Sequence, residues 1–165
     1  MKIENEVERI FYHEFKDILP NTIWKNDDGS YNVFGKYRII TQKFGYKVTC
    51  AATDVGIFTS TKTALSWCIA DKNAAYNLAR EILETDIKLG LLNNDIKIRA
   101  NLADRSKSPD FRETQGTKLE TKIIRKKQLE NQIAKCVSWA KYCQQRGFNN
   151  ETARTSRTQP NKTSR

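Results

Sequence analysis

Residues 31–69 read YNVFGKYRIITQKFGYKVTCAATDVGIFTSTKTALSWCI. In an extended segment over 31–40, Tyr31, Val33, Tyr37 and Ile39 fall on one face, with Gly35 between them. Asn32, Lys36 and Arg38 fall on the other, interrupted by Phe34. Over 44–52, Phe44, Tyr46, Val48 and Cys50 share a face opposite Lys47 and Thr49. Such alternation is the pattern of a half-buried strand. Thr41–Lys43 suits a hairpin connection, and Gly45 suits a bulge. Thr53-Asp54 turns the chain again, and Gly56–Phe58 makes a third strand. Thr59 or Ser60 then caps a helix carrying Ala64, Leu65 and Cys68. A three-stranded antiparallel ribbon needs cover on its apolar face, and this helix is the nearest candidate.

Upstream, Ile3, Val7, Ile10, Phe11, Phe15, Ile18 and Leu19 recur at helical spacing, with Glu4, Glu6, Glu8 and Glu14 on the other face. This predicts an amphipathic helix stopped by Pro20-Asn21. Glu4 and Glu8 lie one turn apart, but acids near a helix N-terminus are stabilising there without any catalytic role. His13 is the sole histidine, and it has no Cys or Ser beside it to make a nucleophile–base pair. Asn26–Ser30 reads as a turn. It lacks the alternate acids and distal Glu of a Ca²⁺ loop. Asp28 and Lys43 lack the acid-x-Lys pairing of metal-dependent nucleases.

Downstream, Asp71 caps a second helical segment whose stripe is Ala75, Tyr76, Ala79, Ile82, Leu83, Asp86 and Leu89, with Gly90 as its stop. Residues 95–104 alternate like a strand but have the composition of a helix, and are assigned as helix. After a break at 106–109, Pro109 opens a last helix expected to run to Arg146 and end at Gly147. Leu129, Ile133, Cys136, Ala140 and Cys143 follow the 4-3-4-3 spacing of a packing seam. Its stripe matches that of 75–89, which predicts an intrachain helical hairpin. Continued backwards, the seam meets Lys126, Lys122 and Leu119, flanked by Arg125 and Lys118. Residues 149–165 are almost free of apolar side chains and are expected to be disordered.

The chain has 165 residues, 38% of them hydrophobic, enough for one domain with a buried core or a domain with an appendage. No apolar run approaches the roughly 18 residues of a membrane span. The N-terminal MKIENEVERIFY is too charged for a signal peptide, which points to the cytosol. Cys50, Cys68, Cys136 and Cys143 form no C-x-x-C pair, so buried thiols are expected rather than disulfides or a zinc site. No cofactor is expected. Of the net charge of +10, residues 117–165 hold twelve Lys/Arg against three Asp/Glu, a net +9. That asymmetry predicts a polyanionic partner for the C-terminal part.

Two resemblances bear on the reading. Phe58-Thr-Ser-Thr-Lys-Thr-Ala64, after three strands, resembles the strand-to-helix junction of the plant ethylene-response type of DNA-binding domain and of integrase arm-binding domains. There the sheet lies in the major groove, which implies Lys36, Arg38, Lys43 and Lys47 as sheet contacts. Here Tyr31, Phe34, Tyr37 and Tyr46 stand among them. VFGKYRI (33–39), then FTSTKTALSWCIADK (58–72), then a Lys-rich helix resembles small uncharacterised proteins of marine tailed phages, which implies phage origin.

The expected fold is α+β: an N-terminal helix, a three-stranded antiparallel sheet, and a helical C-terminal half with a long final helix. Residues 1–105 form the α+β domain, 106–148 a long basic helix packed on it, and 149–165 a basic tail. The expected function is non-enzymatic and nonspecific binding of DNA or RNA. Phosphates would be met by Lys118, Lys122, Arg125, Lys126 and Lys127 on the helix and by Arg154, Arg157, Lys162 and Arg165 on the tail. The rival is a virion structural or assembly protein, with phage structural proteins as partners and the long helix free to oligomerise. The expected location is the host cytoplasm or the virion.

Overall fold

The computed structural model describes residues 6–17 and 22–161, with side chains described as far as Arg146. Helix α1 (Glu6–Ile10) runs into a π-helical turn, Phe11–Phe15. Strands β1 (Ile23–Lys25), β2 (Tyr31–Val33), β3 (Tyr37–Gln42), β4 (Gly45–Cys50) and β5 (Thr53–Phe58) follow. Helices α2 (Thr61–Lys72), α3 (Tyr76–Arg105) and α4 (Pro109–Asn161) come next. The fold is α+β. Val7, Phe11 and Phe15 of the expected N-terminal stripe are buried, while the expected stop at Pro20-Asn21 lies outside the described residues.

The sheet has five strands, not three, in the order β1-β2-β3-β4-β5, every neighbour antiparallel. The segment 31–40 is two strands because Phe34 and Gly35 take left-handed backbone angles (φ 59° and 75°) and reverse the chain. Tyr31, Val33, Tyr37 and Ile39 still share the buried face, since Val33 pairs with Tyr37 and Tyr31 with Ile39 across that turn. Asn26–Ser30 is the turn between β1 and β2, closed by Asn26 N–H to Ser30 O at 2.8 Å. The last strand starts at Thr53 because Ala51 and Ala52 (φ 49° and 69°) already make the turn. Gly45 marks no bulge. The register shift falls at Val48/Thr49, and at Gly45 a Cβ would sit 2.6 Å from the Phe58 carbonyl oxygen of β5.

Ser60 is the N-cap of α2, its hydroxyl accepting from Thr63 N–H at 3.1 Å. Residues 63–70 of α2 are buried on every side, as for a helix in the middle of a core. The sheet lies against it on one side and α3 and α4 on the other. Leu65 and Ile69 have no exposed surface, and Trp67 meets Tyr37 edge-to-face at 5.8 Å. Asp71 caps nothing. It lies in the last turn of α2, where its carboxylate accepts from the Tyr37 hydroxyl, and the break comes at Asn73–Ala75, with Ala74 left-handed.

Gly90 does not end its helix. α3 continues through it and through residues 95–104 to Arg105, and Gly90 faces Thr59. The linker 106–108 then reverses the chain, and α3 and α4 pack as the expected antiparallel hairpin. Asn73 pairs with Gln144, Glu81 with Gln132, Asp95 with Lys122 and Arg99 with Gln115, in opposite order along the two halves. Leu129, Ile133, Cys136, Val137 and Ala140 close one core with Ala79, Ile82 and Leu89. Gly147 is not the end of α4 either. The helix runs on to Asn161, so residues 149–161, expected to be disordered, extend it.

Candidate nucleic-acid interface

At about 100° per residue, the seam 129-133-136-140 fixes which side of α4 faces the core and which is left to solvent. The five cations expected on its N-terminal half are divided among three places. Lys122 continues the seam and is committed there, its ammonium 2.5 Å from Asp95 Oδ2. Arg99 Nε adds a second contact to Asp95 Oδ1 at 3.2 Å and reaches Gln115 with its Nη1. The hydrogen bond from Lys122, and then the charges of Lys122 and Arg99, hold the Asp95 carboxyl below its ordinary range. Where the seam runs out of apolar residues it therefore becomes an ionic contact between α3 and α4.

Lys126 stands on the wall of a cleft of about 510 Å³, with Thr59, Ser60 and Lys62, Asn93 and Glu130, and Glu14 and Lys141 around it. Glu14 sits between Lys62 (2.7 Å) and Lys141 (3.3 Å). Partial burial pushes the Glu14 carboxyl up, but hydrogen bonds and charge from the two ammonium groups outweigh it and leave the group below its ordinary value.

Lys118, Arg125 and Lys127 are exposed. Arg125 makes a long hydrogen bond to Gln128 (3.4 Å), and none of the three has an acidic partner among the described residues. Lys118 and Arg125 share one edge of the seam, while Lys127 is on the opposite side of the helix from Leu129. Arg154 and Arg157 fall in the last turns of α4, but their side chains, and all of Lys162 and Arg165, lie outside what is described.

A strip that spacing alone does not single out continues this solvent side. Lys135, Trp139, Tyr142 and Arg146 follow a 4-3-4 spacing parallel to the seam and one step round from it. Trp139 is 60% exposed and Tyr142 54%. Their rings meet edge-to-face at 5.9 Å, beside a shallow apolar hollow of about 340 Å³ that they form with Ser138. No Asp or Glu occurs between Glu130 and Glu151.

The sheet's cations are differently placed. Arg38 pairs with Asp28, Lys47 with Asp54 at 3.2 Å and Lys36 with Asp71 at 3.9 Å, while Lys43 lies over the Phe44 ring. Among the described residues no three His, Cys, Asp or Glu side chains come together to hold a metal, and no helix is long and apolar enough to cross a membrane. No family model, curated protein or solved structure matches this chain.

The solvent side of α4 thus offers unpaired cations spread over several turns with two exposed rings among them. Chemically it can contact phosphates and offer an aromatic face, and among the described residues it holds no nucleophile–base pair.

Proposed function

We propose that the protein binds nucleic acid through phosphate contacts made by the solvent side of α4, without catalysis and without reading bases. The observation that supports it is the division of cations. Those of the sheet and of the Glu14 cleft are largely matched by carboxylates, while Lys118, Arg125 and Lys127 are not. Lys135 and Arg146 extend the same side and have no ion pair among the described residues. Unmatched cations are the ones that can release counterions from a phosphate backbone. The resemblance to small tailed-phage proteins would put this activity in the host cytoplasm or the virion.

Fluorescence anisotropy of a labelled duplex across a salt series tests the reading. With about five phosphates engaged, the log–log salt slope should be near −4 to −5. Replacing Lys118, Arg125, Lys127, Lys135 and Arg146 together with Gln should flatten it by several units for every sequence alike. Gln at Lys36, Arg38, Lys43 and Lys47 should leave it nearly unchanged. Absence of salt-sensitive binding near about 50 mM salt would sink the proposal.

The virion-assembly reading keeps one support of its own. Phe111, Ile123 and Ile124 are exposed on α4, and a protein partner would bury them. Co-sedimentation with phage structural proteins, with no binding to either nucleic acid, would favour it.

A further inference from the structure

The geometry points to a single-stranded segment of DNA or RNA as the preferred ligand, with unpaired bases stacking on Trp139 and Tyr142 while Lys135 and Arg146 hold the flanking phosphates. This rests on the phosphate-binding reading above and narrows it. Three observations carry it. The two rings face away from the core, since Cys136, Val137 and Ala140 take the buried positions of the same turns. Rings this exposed, in mutual contact and beside an apolar hollow, make a ready surface for a planar group. The cations lie one turn before and one turn after the pair, about 16 Å apart along the helix, the reach of a few nucleotides.

The chemistry selects among occupants. A base in a duplex has both faces covered by its neighbours, so only an unpaired base can lie against a ring. A second copy of this chain, packed on the strip in either direction, would bring the cationic turns of the two helices together with no acid between Glu130 and Glu151 to relieve them. A basic peptide is disfavoured for the same reason. A polyanion carrying aromatic bases satisfies the cations and the rings at once.

The test compares a labelled oligothymidine 20-mer with a labelled duplex of equal length, using the full chain at one salt concentration. The oligothymidine should bind tighter and quench part of the tryptophan emission. Trp139→Ala combined with Tyr142→Ala should lower single-strand affinity about 10- to 100-fold, abolish that quenching and leave duplex affinity within about twofold. Trp139→Phe, which keeps a ring, should restore most of the loss. Trp24 and Trp67 remain in every variant to report the fold, together with the thermal midpoint. If the double variant binds the single strand as well as the wild type does, stacking is wrong, and a persisting salt slope would show that phosphate binding stands without it. If neither ligand binds, both readings fall. If Trp139→Ala instead converts a concentration-dependent dimer into a monomer in sedimentation, the strip is a self-association surface and the inference is overturned.

Discussion

Asp86 on α3 accepts a hydrogen bond from the backbone N–H of Thr59 at 3.0 Å and another from the Thr59 hydroxyl at 2.7 Å. Both carboxylate oxygens are thereby tied to the junction between β5 and α2. Asp86 has no exposed surface, and burial raises its carboxyl above the ordinary value, the Thr59 bonds offsetting this only in part. A folded-state value above the unfolded one means that the folded protein holds the proton more tightly. The Asp86 contribution is therefore most favourable below the unfolded value near 3.9 and declines as pH rises through the raised folded value. Asp86→Asn should remove that decline; because Glu14 and Asp95, held below their ordinary values, lose stability as pH falls, the urea midpoint of the variant should drop more steeply on acidification than that of the wild type. Asp86→Ala, which orphans two donors, should cost about 1–3 kcal/mol. An unchanged pH profile in Asp86→Asn would mean that other groups set the slope.

Leu65 is fully buried in the helix between the sheet and the hairpin. Leu65→Ala should destabilise by about 2–5 kcal/mol, the usual loss of transfer energy plus a cavity. Chemical denaturation reads it, and a loss under about 1 kcal/mol would contradict the burial of Leu65.

Ile133 is 8% exposed and faces α3, whereas Ile124, on the same helix, is 61% exposed. An unpaired charge is expensive only where water is excluded. Ile133→Asp should therefore cost about 3 kcal/mol or more, and Ile124→Asp should stay within about 0.5 kcal/mol. Similar losses at both positions would place a partner over Ile124. A wild-type dimer that Ile133→Asp dissociates without unfolding would replace the intrachain hairpin with a self-associated one.

Ala51 and Ala52 both hold left-handed backbone angles in the β4–β5 turn. Asn-Gly tolerates this conformation far better than two alanines, which pay a steric penalty of about 1–2 kcal/mol each. Ala51→Asn with Ala52→Gly should raise stability by about 1 kcal/mol, measured as a higher thermal midpoint. A lower midpoint would mean that the turn is set by something other than these angles.

The core face of the sheet was legible because alternation survives a hairpin whose arms pair Val33 with Tyr37. For that reason the reversal at Phe34-Gly35 went unread: a period of two looks the same on either side of it. β1 gives no such signal, since Trp24 and Lys25 are both exposed. Gly90 suggests a stop from sequence alone, yet a glycine ends a helix only where the backbone turns left-handed, and here it stays helical. The seam of α4 was readable from spacing alone. So was its continuation through Lys122, but the ion pair that fills that position was not, because Asp95 comes into reach only when the hairpin forms. Trp139 and Tyr142 were visible as residues, but spacing alone does not say which side of a helix the rest of the chain leaves bare.

The strand order has a consequence for how the chain assembles. Each strand pairs only with its predecessor and successor, so the sheet can close by short loops, each of small entropic cost. The same holds for the three-residue link between α3 and α4. The long-range step is different. Glu14 meets Lys141 across 127 residues of sequence, so this contact of the N-terminal segment must wait for α4. During synthesis from the N-terminus, Phe15 lacks the Lys141 ammonium that lies 5.0 Å from its ring until α4 arrives. Pulse-labelled hydrogen exchange should find the sheet amides protected first and those of residues 6–15 among the last.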